Sequence, residues 1–264
     1  MKIVAILLLA ILTFSCSDDD EKGTEENKGQ WAMIFNETIK SDSNPVDRTE
    51  KFMFDGKRLI QHIIKQRYFE EEISNEVNLS YSDNQVTVTT DYLTLVYTLN
   101  SEGYASQCVY SLSSQNRIYQ FSYSAEGYLT GIVENIDDIE YSSTSLTYEN
   151  GDITSISSKM NGLENKFIYE PGEESSTYHL PCLGLLEMHP LTFHIEALYA
   201  GLLGKDPRHF TIRSSPAGSN DEKTVYSYGF DKKGNPSRMI CQTTYAGGQA
   251  SYYPYTRNIS VSFE

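Results

Sequence analysis

The stretch YQFSYSAEGYLTGIVE, Tyr119 to Glu134, sets aromatic side chains at every second position, breaks at a Gly-containing turn and resumes with apolar residues. Comparable units recur as KFMFDGKRLIQHI (Lys51 to Ile63), VNLSYSDNQVTV (Val77 to Val88), LVYTLNSEGYASQCV (Leu95 to Val109), SLTYENGDITSIS (Ser145 to Ser157), KFIYEPGEES (Lys166 to Ser175) and YSYGFDKKGNPSRMI (Tyr226 to Ile240). A period of two places each aromatic set on one face of a strand. Gly103, Gly127, Gly151, Gly172 and Gly234, with Asp83-Asn84 and Asp55-Gly56, are suited to the positive φ of tight hairpin connections. Each unit therefore predicts a hairpin. Hairpins joined in sequence order give an all-β fold: a large antiparallel up-and-down meander, strongly curved or barrel-like.

Turn glycines Gly103, Gly127 and Gly151 are 24 residues apart, but Gly172 and Gly234 are separated by 62, so the repeat is loose rather than that of a propeller or solenoid. After the turn, Ala105 and Cys108, Leu129 and Ile132, Ile153 and Ile156, and Pro236 and Met239 fill matching slots three apart. That offset breaks strict alternation and predicts a bulge or two partly covered faces. Cys108 stands where the others carry Ile or Met and reads as a core residue.

One insertion differs. Leu191, Ile195, Leu198, Tyr199, Leu202 and Leu203 follow helical spacing, with Pro190 suited to a first turn and Gly204 to a C-terminal cap. A single amphipathic helix over about 191–203 is expected, within an insert near 190–204, covering an open face or end of the sheet. A membrane-spanning barrel would need lipid-facing strands of about 9 to 11 residues. The units here are shorter and flanked by Ser, Thr, Glu and Lys.

Residues 1–15 carry one basic side chain, Lys2, then an apolar run from Ile3 to Phe14, too short to span a bilayer as a helix and suited to an export signal. The ending TFSC is similar to the lipobox of bacterial lipoproteins, which implies cleavage before Cys16 and acylation of that residue. SDDDE follows directly, and Ser17 to Gln30 holds six acidic and two basic residues and no aromatic. Such a segment cannot bury a core, so residues 16–30 read as an acidic flexible tether reaching roughly 20 Å, with one domain over 31–264. The acidic cluster behind Cys16 resembles the surface-export tag of lipoproteins in Bacteroides-type bacteria. This implies an outer-membrane lipoprotein exposed at the cell surface, its membrane contact made through lipid. The net charge of −15 repels phosphate backbones and argues against a nucleic-acid partner.

YSAEGYLTGI and YGFDKKGNPSRM are similar to the YD repeat of Rhs-type and teneurin-like proteins, although only Asp55 and Asp231 keep the Asp. Lipobox, acidic tether, hairpins, the segment ALYAGLLGKDPR and the late YGFDKKGNPSRM together resemble a Bacteroides-type lipoprotein family, domain of unknown function 4595. The resemblance implies a porin-like fold and names no activity.

Chemistry is sparsely marked. His179, His189, His194 and His209 cluster with Glu187, Glu196 and Asp206, and His189 with His194 are the candidate metal ligands. Their spacing of five, interrupted by Pro190, is not the i, i+4 pairing that presents two ligands to one zinc, so neither a metal nor another cofactor is expected. No G-x-S-x-G is present, and Cys182 has only His179 nearby. No catalytic residue is assigned. Cys108, Cys182 and Cys241 allow one bridge with a free thiol, or three free thiols. Binding is better supported: Tyr245, Tyr252, Tyr253 and Tyr255 surround Gly247-Gly248 and would suit a glycan or another envelope protein. The expected role is that of a lipid-anchored surface or periplasmic lipoprotein with a non-enzymatic binding or scaffold function. The alternatives are a carbohydrate-binding accessory of outer-membrane nutrient uptake and a hydrolase using the His-rich insert.

Overall fold

The alternation that defines the hairpins separates two environments almost completely. In β4 (Glu71–Tyr81), Val77 and Leu79 are buried while Asn78 and Ser80 are exposed; in β5 (Gln85–Thr89), Val86 and Val88 are buried and Gln85 is exposed. This computed structural model describes residues 29–39, 46–68, 71–112, 115–176, 188–219, 222–244 and 255–264. The first strands are β1 (Gln30–Ile39), β2 (Val46–Asp55) and β3 (Arg58–Tyr68). After β5 come β6 (Thr94–Leu99), β7 (Ala105–Leu112), β8 (Gln115–Tyr123), β9 (Leu129–Ile136), β10 (Ile139–Glu149), β11 (Asp152–Met160) and β12 (Leu163–Ser175). The remainder are β13 (His209–Pro216), β14 (Lys223–Phe230), β15 (Pro236–Thr244) and β16 (Tyr255–Phe263). Each pairs antiparallel with its sequence neighbours, and β1 pairs with β16, so the meander closes into a barrel.

At the rim of the glycine turns five hairpins shift register once, at Met53/Phe54, Thr98/Leu99, Ser122/Tyr123, Thr147/Tyr148 and Gly229/Phe230, and at the opposite rim β9 and β10 shift at Glu140/Ser142. Each shift sits just beyond the turn. An extra residue there keeps both members of each three-apart pair inside, and all eight, from Ala105 and Cys108 to Pro236 and Met239, are buried. Cys108 and Cys241 are buried free thiols, and burial pushes the Cys108 thiol up to about 12. Cys182 lies outside the described residues.

The turns partly depart from expectation. Gly172 is not a turn residue: β12 runs through it, and a Cβ there would come within 2.7 Å of Ile212 Cγ2, so the sixth unit is one long strand rather than a hairpin. The Asp83-Asn84 connection needs no left-handed residue and is closed by Ser82 N–H donating to Gln85 O at 2.9 Å. At the opposite rim, turns not anticipated from the units occur at Asp137-Asp138 (φ 50° and 65°) and Asn161-Gly162 (φ 51° and 78°), the two-residue geometry that matches strand twist.

A sixteen-strand barrel is wide enough to leave a channel unless something fills it. The insert does. Instead of one helix over 191–203, a 3₁₀ turn (Leu191–Phe193) and a short helix, α1 (Ile195–Tyr199), are separated by His194 at φ −124°, ψ 27°. The helix stops at Gly201 rather than Gly204: Gly201 (φ 68°) donates to Leu198 O and Leu202 donates to Ala197 O, a glycine cap. Leu191, Ala197, Tyr199, Leu202 and Leu203 are buried inside the lumen in contact with the wall's core. The apolar stripe therefore faces the barrel interior, not an open sheet.

Leaving the lumen, the chain crosses three successive hairpin turns. Leu202 O accepts from Ala105 N–H at 2.7 Å, Lys205 N–H donates to Gly127 O at 2.9 Å, and Arg208 N–H donates to Gly151 O at 3.1 Å. Three extended residues span roughly 10 Å. Neighbouring hairpins lie two strand spacings apart, about 9.6 Å. A three-residue step along this strap therefore matches the 24-residue step between the turn glycines.

The wall's outer face is mainly polar, unlike the apolar outer band of a lipid-spanning barrel, with Ile73, Ile168, Ile212 and Val225 exposed among the polar residues. Outward positions carry Thr49, Lys51, Gln61, Glu76, Asn78, Gln107, Gln120 and Ser157, and several bond across strands, as in Gln61 Nε2 to Glu76 Oε1 at 2.6 Å and Thr49 Oγ1 to Asn36 Oδ1 at 2.9 Å.

Candidate functional site

Strand parity brings a group of charged side chains into the lumen. Phe52 and Phe54 point inward, so Glu50 and Arg48, two and four residues earlier on β2, share that face; Phe35 brings Glu37 inward on β1 by the same rule. Arg257 from β16 binds Glu37 through both arms, Nε to Oε1 at 2.7 Å and Nη2 to Oε2 at 2.8 Å. Arg48 Nε meets Glu50 Oε1 at 2.6 Å. His62, wholly buried on β3 and stacked on Phe52 at 4.0 Å, reaches Glu196 Oε1 of α1 through Nδ1 at 2.8 Å and Glu50 Oε2 through Nε2 at 3.1 Å.

These contacts set the protonation states. Burial draws the His62 pKa down, but hydrogen bonds and charge from Glu196 and Glu50 outweigh it and raise the pKa, favouring imidazolium. Burial pushes Glu50 up, and His62 with Arg48 more than reverses it, holding the carboxyl low. Beside this network is a cavity of about 270 Å³ between plug and wall, lined by Phe35, Glu37, Arg48, Glu50, Thr192, Ile195, Tyr199, Met239, Arg257 and Ile259. A chamber holding a charged floor against apolar and aromatic walls can orient a small amphiphilic molecule.

A second polar knot pins the plug from the other side. Glu134, fully buried on β9, receives Arg117 Nη1 at 3.1 Å, Tyr119 OH at 3.2 Å, Ser142 Oγ at 2.7 Å and His189 Nε2 at 2.7 Å. Ser, His and Glu meet here, yet not as a catalytic triad. A triad uses one imidazole nitrogen for the serine and the other for the carboxylate. Here His189 Nε2 faces both, 3.3 Å from Ser142 Oγ, and the serine donates directly to the carboxylate. The third pairing, His209 Nδ1 with Asp152 Oδ2 at 2.8 Å, joins the strap's end to β11.

His189 and His194 part company. His189 bonds Glu134, while His194 is sealed among Tyr97, Tyr119 and Phe121 with Nδ1 2.8 Å from Tyr97 OH. Burial holds His194 down at about 3. Among the described residues no three metal-ligating side chains converge. Cys16, Tyr245, Tyr252 and Tyr253 lie outside the described residues; Tyr255 opens β16, paired with Thr243. His179 and Glu187 also lie outside them. The residues that sequence reading missed are Glu37, Arg48, Glu50, His62, Glu134 and Arg257. Their one signal was charge at strand positions whose parity points inward.

At the strapped rim, Tyr128 and Tyr148 stack at 4.9 Å beside Lys205 and Arg208, in a recess of about 690 Å³, with Tyr148 also packed against the core.

The family described as "Domain of unknown function (DUF4595) with porin-like fold" matches residues 52–238. A porin-like protein from Bacteroides uniformis is 28% identical over 88% of this chain and 96% of its own, with a TM-score of 0.81. A porin-like protein from Bacteroides vulgatus, 11% identical over 86% of this chain and 96% of its own, has a TM-score of 0.53 and shares the fold alone. No curated protein matches the chain.

Proposed function

Since the chain belongs to the family of domains of unknown function (DUF4595) with porin-like fold, a family defined by its barrel and not by a reaction, we propose that it is a non-enzymatic binding protein of the cell envelope. It is a water-soluble barrel held to the outer membrane by a lipid on Cys16, displayed at the surface, and it uses the chamber between plug and wall as its ligand site. One observation carries this reading: the strands carry mostly polar residues on their outer face, with a few exposed aliphatics, and turn their aromatic and aliphatic core inward, onto a plug. Such a wall gains little from lipid, and the filled lumen offers a pocket in place of a conducting path. Membrane attachment then needs a separate device, and the lipobox-like TFSC ending at Cys16 supplies it.

Replacing Cys16→Ser in the full chain tests this. The variant is expected in the soluble fraction without detergent, folded, while the parent fractionates with membranes. A variant that stays embedded after alkaline carbonate washing would overturn the reading.

A second reading, carbohydrate binding, is favoured by the Tyr128 and Tyr148 stack, because paired aromatic faces flanked by Lys205 and Arg208 suit sugar rings with acidic groups. A glycan array probed with the whole chain and with Tyr128→Ala tests it; binding that Tyr128→Ala leaves intact would refute that site.

A further inference from the structure

We propose that the chamber takes a small monocarboxylate with a compact apolar tail, bound through Arg48. The assignment rests on the reading of the chamber as a ligand site and adds the chemistry of the ligand. Every oxygen of the two carboxylates that line the chamber already has a cation: both of Glu37 face Arg257, and those of Glu50 face Arg48 and His62. A cationic ligand would find no spare acceptor among them.

Arg48 is different. Its only ion-pair partner among the described residues is Glu50, met at Nε, and that Nε–H has no aligned acceptor. The two terminal nitrogens have no hydrogen-bond partner among the described residues, and the side chain keeps 27% of its exposure. A guanidinium with its outer edge free presents the planar fork that matches a carboxylate. A dianion such as phosphate would place a second negative charge beside Glu37 and Glu50, so one charge fits better than two. Thr192, exposed on the plug at the chamber's edge, offers a hydroxyl as a further donor.

The remaining walls are Phe35, Tyr199, Met239 and Ile259, which suit a hydrocarbon or aryl tail. The cavity of about 270 Å³ equals roughly nine waters at ~30 Å³ each, hence a ligand of about ten non-hydrogen atoms.

The test is calorimetric titration of the full chain with octanoate and 3-phenylpropionate, and with their primary amides, repeated in Arg48→Gln and in Thr192→Trp. The second variant fills the chamber from an exposed plug position, so it remains informative should Arg48→Gln fail to fold. The expected result is one saturable site for a carboxylate, at least tenfold weaker for its amide, with carboxylate affinity falling at least tenfold in Arg48→Gln and binding blocked in Thr192→Trp. Equal binding of acid and amide, blocked by Thr192→Trp but indifferent to Arg48→Gln, would overturn the carboxylate assignment and leave the chamber as a ligand site. Binding untouched by either variant, or no binding of any probe, would overturn both.

Discussion

Two histidines buried inside the same barrel have their pKa values pushed in opposite directions. His62 lies in the half of the lumen built by β1, β2, β3 and β16, between two carboxylates, and its pKa is raised. His194 lies on the plug against β6 and β8 among aromatic rings, with Nε2 lacking any hydrogen-bond partner, and its pKa falls to about 3. Burial is common to both, so burial alone does not decide charge. The presence of a directly paired carboxylate does: His62 bonds two, whereas the ring of His194 bonds only the Tyr97 hydroxyl among the described residues.

The largest expected effect breaks the knot that ties these halves together through the plug. Glu134→Ala strands Arg117 and His189 without their shared carboxylate, and should cost about 3–5 kcal/mol in urea unfolding. A loss below about 1 kcal/mol would mean that both cations rehydrate freely and that the plug is held by apolar packing alone.

The two histidines predict opposite pH limbs. His194 must fold neutral, so its contribution is full above its unfolded pKa near 6.5 and lost as pH falls; at pH 5 the loss is about 2 kcal/mol. His194→Phe should flatten that limb until Glu50 and Glu134, whose folded pKa values are lowered, begin to protonate below about 4.5. The folded pKa of His62 is raised by Glu196 and Glu50, so its contribution is full below about 6.5 and lost as pH rises through its folded pKa. His62→Gln should flatten the alkaline limb instead. Stability measured from pH 4.5 to 9 in both variants checks the pair; limbs that move together would refute the contrast.

Next comes the strap. Gly127 has φ 90° and lies 3.1 Å from Tyr104 Cε2 for any added Cβ, so Gly127→Val should cost about 1–3 kcal/mol, read as a lowered melting temperature. An unchanged melting temperature would remove the turn from the strap's support. The smallest effect belongs to the outer wall: Gln120→Lys should stay within about 0.5 kcal/mol. A larger loss would mean that this face is covered in the folded assembly.

The wall was legible in the sequence because aromatic residues two apart and turn glycines are local signals. Even the bulges were visible, as Leu129 and Ile132 three apart. Gly172 misled because a glycine within a strand, needed there for close approach to Ile212, looks like one at a turn. Asn161-Gly162 is the reverse case, a strong turn pair passed over because Met160 and Leu163 beside it lack the aromatic alternation. The plug's apolar stripe was read correctly, but His194 and Gly201 cut the helix to Ile195–Tyr199, since packing inside a lumen rewards fit over helical continuity. The charged chamber was illegible because Glu37, Arg48, Glu50 and Arg257 meet from β1, β2 and β16, and closure between the first and last strands is not a local property.

That closure also fixes a direction. Gly29 O accepts from Gly56 N–H at the turn rim, and Ala32 and Glu264 exchange backbone hydrogen bonds of 2.9 Å, so Gly29 and Glu264 both lie at the strapped rim. Glu37 and Arg48 lie toward the other end of their strands, paired across β1 and β2. With the lipid proposed on Cys16, the anchoring segment would join the barrel at the strapped rim, and the chamber would open toward the opposite rim.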